Sequence, residues 1–119
     1  MKRVLGLLLL LLFSAVNRLE AHAFLKQATP DVGSVVAHSP NEIRIQFTEA
    51  VERAFSKIQV FDSSDKEVDK RDVHCDSSNH KLLKVSLPAL GVGTYKVVWR
   101  VVSVDTHVTN GSYTFRVAR

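Results

Sequence analysis

The chain has 119 residues, of which 45% are hydrophobic and 24% are charged, and its formal net charge is +4. This length allows one small domain with one core. The charge is modest and spread along the chain, so it does not indicate a nucleic-acid-binding protein. Cys75 is the single cysteine, so no internal disulfide can form. We expect it to be a lone thiol on a loop, although such a thiol could also pair between molecules or bind a metal.

The first 21 residues predict a cleaved signal peptide. The basic residues Lys2 and Arg3 precede an apolar run at 4–13, which is too short to span a bilayer, and a more polar segment follows. A short membrane anchor is the alternative interpretation. Residues 22–119 contain no apolar run of membrane-spanning length, so we expect no stable membrane insertion after cleavage. They keep 13 Lys and Arg against 11 Asp and Glu, a net charge of +2.

Two cleavage positions compete. A cut after Ala21 makes His22 the first residue of the mature chain. A cut after Ala23 fits the cleavage rule better, because Ala21 and Ala23 then occupy the two positions before the cut where small residues are preferred. This cut removes His22. The cleavage rule alone slightly favours Ala23, and the remaining sequence decides against it.

Strands and turns are predicted in order along the first half of the mature chain. Residues 23–27 could form a first strand, and 29–34 predict a turn because Pro30 and Gly33 suit its positions. Residues 42–48 alternate strictly between apolar and polar types, and residues 57–61 alternate again. The side chains predicted to be buried are Ile43, Ile45, Phe47, Ile58 and Val60.

The second half is more uneven. Residues 62–79 are the most polar segment, with at most one short edge strand near Val68. Residues 82–87 predict a strand. The β-branched and aromatic run at 95–104 predicts another, and a turn at Asn110 and Gly111 is expected to lead into a returning strand at 112–117.

About seven short strands without an amphipathic helix predict an all-β protein, a β-sandwich with Greek-key connections. A small barrel of the same strands is the alternative. Trp99 is expected to fill the core between the sheets.

Asp105 and His107 form the most informative pair. Side chains two residues apart in an extended chain project to one face, so we expect the carboxylate and the imidazole to lie together. Such a pair makes half of a metal site, and the processed amino terminus is our candidate for the other half. An ordinary polar turn is the alternative, with Asp105 capping local amides.

The other histidines are expected to be solvated, because His38, His74 and His80 lie in polar loops. His74 and His80 with Cys75 between them could suggest a second metal site. Their spacing matches no zinc pattern.

Several motifs together resemble one family, the CopC family of periplasmic copper-binding proteins. They are an N-terminal histidine after a signal peptide, T-P-x-x-G-S at 29–34, F-T-E at 47–49, G-T-Y-x-V-x-W-R at 93–100 and V-S-x-D-T-H…G-S-x-x-F-x-V at 102–117. The resemblance covers essentially the whole of residues 22–119. Its C-terminal block is the most specific part.

The resemblance implies an immunoglobulin-like β-sandwich or barrel at 22–119, after a signal peptide at 1–21. It implies a periplasmic protein for copper homeostasis or resistance, not an enzyme, that carries or buffers one Cu(II) and could deliver it to a CopD-type inner-membrane protein. The implied ligands are His22, through its amine and its ring, with Asp105 and His107. Glu49 falls beside the site. Met1 is the only methionine, so a thioether Cu(I) site is not expected.

These ligands suit Cu(II), which favours tetragonal nitrogen and oxygen donors. A terminal histidine chelates through amine and ring, and the second imidazole and the carboxylate complete three nitrogens and one oxygen. Acid should weaken binding, because the amine and the imidazoles must lose protons to bind metal. Glu49 and Thr106 are both candidates for orienting an imidazole.

Two other functions stay open on the sequence. A terminal His chelate plus another His also occurs in copper-dependent oxidative enzymes with a histidine-brace site. A non-metal interaction module is the other alternative, since β-sandwiches serve many functions.

Overall fold

The computed structural model describes residues 23–119. The predicted signal peptide and the predicted ligand His22 lie outside the described residues, so both stay predictions.

Two four-stranded sheets pack face to face. One has the strand order β1-β3-β6-β5 and the other β2-β8-β7-β4. The predicted all-β sandwich is therefore confirmed, with eight strands across residues 23–119 and a single turn of 3₁₀ helix at Arg53–Phe55. No helix in this part of the chain has the length and apolar character needed to cross a membrane. The strands are β1 (Leu25–Thr29), β2 (Val35–Val36), β3 (Glu42–Phe47), β4 (Lys57–Phe61), β5 (His74–Asp76), β6 (Asn79–Ser86), β7 (Gly93–Val102) and β8 (Val108–Val117).

The core lies between the sheets, and alternation along each strand builds it. In β3 every second residue is buried, and β4 repeats the pattern. Complete burial of one such side chain stabilises the fold by roughly 1.5–3 kcal/mol relative to leaving it exposed. All five side chains predicted to be inside are buried: Ile43, Ile45, Phe47, Ile58 and Val60.

The β7–β8 hairpin corrects the predicted turn. Asn110 and Gly111 do not turn the chain but pair within the ladder, opposite Arg100 and Trp99. The turn joining β7 to β8 comes earlier, at 103–107. Gly111 serves packing, because a Cβ there would lie 2.3 Å from Cζ2 of the Trp99 indole.

Trp99 is only partly buried, so it closes the rim of the core instead of filling its centre. Its ring lies 6.5 Å from that of Phe47 in the other sheet and 6.3 Å from that of Tyr113 in its own, measured between centroids.

The polar segment holds its strand at another position than predicted. Next to Val68, Glu67 forms an isolated bridge with Phe61, and Val68 donates a backbone hydrogen bond to Val60. The strand of this segment is β5, which begins six residues further on. Cys75 therefore lies in a strand and not on a loop. It pairs with Leu83 and packs partly buried against the core, and burial raises the pKa of its thiol.

Candidate metal centre

The turn at 103–107, here called the ligand turn, lies at one end of the sandwich against the chain that follows β3. Ser103 forms an isolated bridge with Val51, and the Val104 N–H donates to the Ala50 carbonyl at 3.2 Å. These contacts join the ends of the two sheets, because β3 and β7 belong to different ones. The turn is therefore anchored on both sides of the sandwich.

Backbone hydrogen bonds shape the ligand turn from within. The Ser103 N–H donates to the His107 carbonyl at 2.9 Å, and the Thr106 N–H donates to the Ser103 carbonyl at 2.8 Å. Thr106 has a φ of 73°, a left-handed conformation that β-branched residues rarely adopt. The expectation of an extended chain through 105–107 is therefore wrong, because a closed turn replaces it.

The turn nevertheless brings the predicted pair together. Asp105 Oδ2 lies 3.2 Å from His107 Nδ1, and the side chains are 42% and 47% exposed. A carboxylate oxygen and an imidazole nitrogen at this separation are close enough to share one ion. Both donor types suit a divalent transition metal.

The Asp105 carboxylate is held from its other side by a buried hydroxyl. Ser103 is only 1% exposed, and its Oγ donates to Asp105 Oδ1. This hydrogen bond lowers the pKa of Asp105 below its ordinary value, partial desolvation opposes the shift, and the contact with His107 adds to it. The lowered pKa extends toward acid the pH range in which the carboxylate is ionised, the form that a metal requires.

The start of the described chain lies beside the same turn. Ala23 is completely buried, and its carbonyl accepts a hydrogen bond from Thr109 Oγ1 at 2.5 Å. Thr109 follows His107 by two residues. Phe24 and Thr48 exchange two further hydrogen bonds, of 2.8 and 3.0 Å. The segment that directly follows His22 in sequence is therefore fixed next to the strand that leaves the ligand turn.

Within residues 23–119, neither Glu49 nor Thr106 forms a side-chain hydrogen bond with the His107 ring. Asp105 meets the ring at Nδ1, and the Thr106 hydroxyl donates instead to the Asp105 carbonyl at 2.5 Å. Glu49 is half-buried, between Thr48 and Ala50 at this end of the sandwich.

Within residues 23–119, no three His, Cys, Asp or Glu side chains gather into a metal-binding group. The second site considered for His74, Cys75 and His80 is therefore not formed. His74 Nδ1 instead lies 2.8 Å from the Asp72 carbonyl oxygen. His38, His74 and His80 are exposed, as predicted, but His74 and His80 lie in β5 and β6 and not in loops.

Two residues at this end were missed by the sequence interpretation. Ser103 carried only a general signal, because serine hydroxyls in turns readily form local hydrogen bonds. Thr109 carried none, since its partner Ala23 lies 86 residues away in sequence.

A two-sheet β-sandwich with a carboxylate–imidazole pair on one end defines a class of small β-proteins with a candidate transition-metal site. The family model described as the CopC domain matches residues 25–118. The chain therefore belongs to the CopC family.

Known relatives agree with this membership. Protein YobA of Escherichia coli K12 is 37% identical over 98 residues, which cover 82% of this chain and 79% of YobA. The crystal structure of CopC from Methylosinus trichosporium OB3b superposes with a TM-score of 0.77 at 36% identity, over 81% of this chain and 93% of CopC. PcoC, described as a methionine-rich copper resistance protein from Escherichia coli, superposes with a TM-score of 0.73 at 34% identity, over 82% of this chain and all of PcoC.

Some relatives are much longer. The chain matches the copper transport protein CutJ of Bacillus subtilis at 30% identity over 83% of its own length but only 18% of CutJ. The family is one of copper resistance and copper transport proteins and not of enzymes, which confirms the copper-related function and the non-enzymatic role expected from the sequence.

Proposed function

We propose that this protein is a periplasmic Cu(II)-binding protein that holds one copper ion per chain. Its ligands are the amine and the ring of His22, the carboxylate of Asp105 and the imidazole of His107. The observation that carries the proposal is the 3.2 Å pair of Asp105 and His107, at the end of the sandwich where Ala23 is anchored.

Burial of Ala23 supports a mature chain at 22–119. A cut after Ala23 would delete a residue that is 0% exposed, together with the carbonyl that accepts the Thr109 hydrogen bond. A cut after Ala21 keeps both. Consecutive Cα atoms are about 3.8 Å apart, so His22 starts one peptide unit away from this anchored position.

The donor set supports copper as the cargo. Copper at these residues would be bound by three nitrogens and one oxygen, which suits Cu(II) in a tetragonal arrangement. Because Met1 lies in the segment predicted to be cleaved, no thioether group is left for Cu(I). This differs from the methionine-rich character named for PcoC.

The physiological role is to carry or buffer copper and to deliver it to a CopD-type inner-membrane protein. The match to a short part of CutJ supports transfer, since the matched region there belongs to a much longer protein named for copper transport. The copper resistance named for PcoC supports buffering.

The test begins with the amino terminus of the exported protein, which N-terminal sequencing and intact mass should place at His22. Competition titration with Cu(II) should then show one tightly bound ion per chain. His22→Ala and His107→Ala should each weaken binding by more than about 100-fold, because ligand removal exceeds the usual effect of an outer residue.

His38→Ala is the matched control. His38 is an exposed histidine that follows β2, and β2 pairs with the end of β8 that is remote from the ligand turn. This variant should bind Cu(II) like the wild type. A mature chain starting at Phe24, or unchanged affinity in both ligand variants, would disprove the proposed site.

A further inference from the structure

Ser103 is the buried residue that contacts both predicted ligands of the turn. Its Oγ donates to Asp105 Oδ1 and lies 3.3 Å from the His107 amide nitrogen and 3.3 Å from the His107 carbonyl oxygen. A hydroxyl has one proton to donate and two lone pairs to accept with. Because the carboxylate oxygen is the closest partner and carries charge, the proton goes to Asp105. A lone pair then faces the His107 N–H.

The position of Ser103 does not depend on its hydroxyl. Its backbone is held by the bridge to Val51, by its N–H bond to the His107 carbonyl and by its carbonyl bond from Thr106. The hydroxyl is therefore presented by a fixed backbone, and its hydrogen bond to the partly exposed Asp105 carboxylate is strengthened by the charge of the acceptor. Removing the hydroxyl should release the carboxylate while leaving the turn closed.

The carboxylate needs such a restraint. The terminal torsion of an aspartate is broad, so one oxygen is easily exchanged for the other. With Oδ1 held by Ser103, Oδ2 is the oxygen that faces His107 Nδ1 at 3.2 Å. The pair is thus arranged before any metal arrives, which lowers the ordering cost of binding.

We propose that Ser103 is a positioning residue of the copper site, whose hydroxyl holds the Asp105 carboxylate so that one defined oxygen is presented beside the His107 imidazole. This inference rests on the proposed function. Ser103 binds no copper itself and acts through Asp105.

The test compares two buried serines at the same end of the molecule. Ser56 is 7% exposed, and its Oγ bonds only backbone groups, donating to the Glu52 carbonyl at 2.7 Å and accepting from the Val102 N–H at 3.1 Å. Ser103→Ala should weaken Cu(II) binding about tenfold, the lower end of the usual effect of residues that orient ligands. It should also shift the Cu(II) electron paramagnetic resonance parameters. Ser56→Ala should change neither the Cu(II) affinity nor the resonance parameters. Ser103→Thr keeps the hydroxyl, so its affinity and its resonance parameters should match those of the wild type.

A double-mutant cycle separates positioning from a general structural effect. In an Asp105→Ala background, Ser103→Ala should cause no further loss of affinity, because its effect passes through the missing carboxylate. A second loss of about tenfold in that background would overturn the proposal, because residues that act through one ligand lose affinity only once. Equal losses of Cu(II) affinity in Ser103→Ala and Ser56→Ala would also overturn the proposal.

A measurement on the metal-free wild-type protein gives an independent test, because it needs no Ser103 variant. The wild-type Ser103 hydroxyl proton should exchange slowly and show a nuclear magnetic resonance contact with the Asp105 side chain, and absence of both would overturn the proposal. The binding data also distinguish a failure of the proposed copper site from a failure of the proposed role of Ser103. If His22→Ala and His107→Ala keep full affinity, the proposed function fails; if they lose it while Ser103→Ala does not, only the role of Ser103 fails.

Discussion

Three turns within residues 23–119 bond a serine hydroxyl to an aspartate carboxylate, at Asp62, Asp76 and Asp105. Two of them, at Asp76 and Asp105, also place a lysine or histidine side chain against the carboxylate, and only one of these two is suited to bind a metal. In the ligand turn, Ser103 bonds the Asp105 carboxylate. In the hairpin turn at 76–79, which joins β5 to β6, the Ser78 hydroxyl bonds Asp76 at 2.7 Å. Each serine is the largest cause of a lowered aspartate pKa. The local chemistry is thus nearly the same.

The difference lies in the group that faces the second carboxylate oxygen. At Asp105 it is the His107 imidazole, 3.2 Å away, and at Asp76 it is the Lys84 ammonium, 3.1 Å away. A neutral imidazole has a lone pair for a metal, whereas an ammonium has only donors and is already a cation. The hairpin turn therefore carries its own permanent cation in the place where the ligand turn can accept one.

The largest expected effect tests this comparison directly with one substitution in each turn. Asp105→Asn should weaken Cu(II) binding by about 100-fold or more, because it removes a ligand and the loss of an outer residue alone already costs about 10- to 100-fold. Asp76→Asn should leave it unchanged, because Lys84 excludes a second cation from that carboxylate. Competition titration measures both. Equal losses in the two variants would show that general electrostatics, and not the ligand turn, governs copper binding.

The second prediction concerns the strands that support each turn. The ligand turn joins two ten-residue strands, whereas β5 has three residues. Gly111→Ala should lower the free energy of unfolding of the metal-free protein by about 1–3 kcal/mol, the usual cost of overpacking, because the new Cβ would meet the Trp99 ring. Denaturant titration monitored by Trp99 fluorescence measures the loss.

Gly91→Ala is the control for that substitution. A Cβ at Gly91 meets no atom within 4 Å, so its effect should stay within about 0.5 kcal/mol. If Gly111→Ala is as stable as Gly91→Ala, close packing of Trp99 on β8 does not support the ligand turn.

The smallest expected effect belongs to the hairpin turn. Hydrogen bonds from Ser78 and Lys84 lower the pKa of Asp76 from 3.8 to about 2. A lowered carboxyl pKa stabilises the fold above the unfolded value and loses that contribution as the pH falls through the folded value. Unfolding measured from about pH 4 down to about pH 2 should therefore depend less steeply on pH in Asp76→Asn than in the wild type.

Asp65→Asn is the control for the acid experiment, because Asn tolerates the left-handed backbone of Asp65, whose φ is 64°. An equal change of slope in Asp65→Asn would show that the effect does not come from the contacts of Asp76 with Ser78 and Lys84. An unchanged slope in Asp76→Asn would show that the ion pair with Lys84 contributes nothing to the acid stability of the hairpin.

Short-range sequence patterns determine much of this protein. The alternation at 43–47 predicts both the strand and its buried face, because the side-chain period of a strand is local. The motif at 102–117 indicates the family. The pairing of Asp105 with His107 is also predicted, although from an extended chain, whereas the protein achieves it with a turn and a left-handed Thr106.

Only the tertiary structure decides where that motif sits and what supports it. The turn preference of Asn110 and Gly111 is overridden, because the β7–β8 ladder and the Trp99 ring need those positions in a strand. The contact between Ala23 and Thr109 joins residues 86 apart in sequence, and no local pattern encodes it. Local periodicity specifies strands and faces, but the meeting of distant segments depends on how two sheets pack.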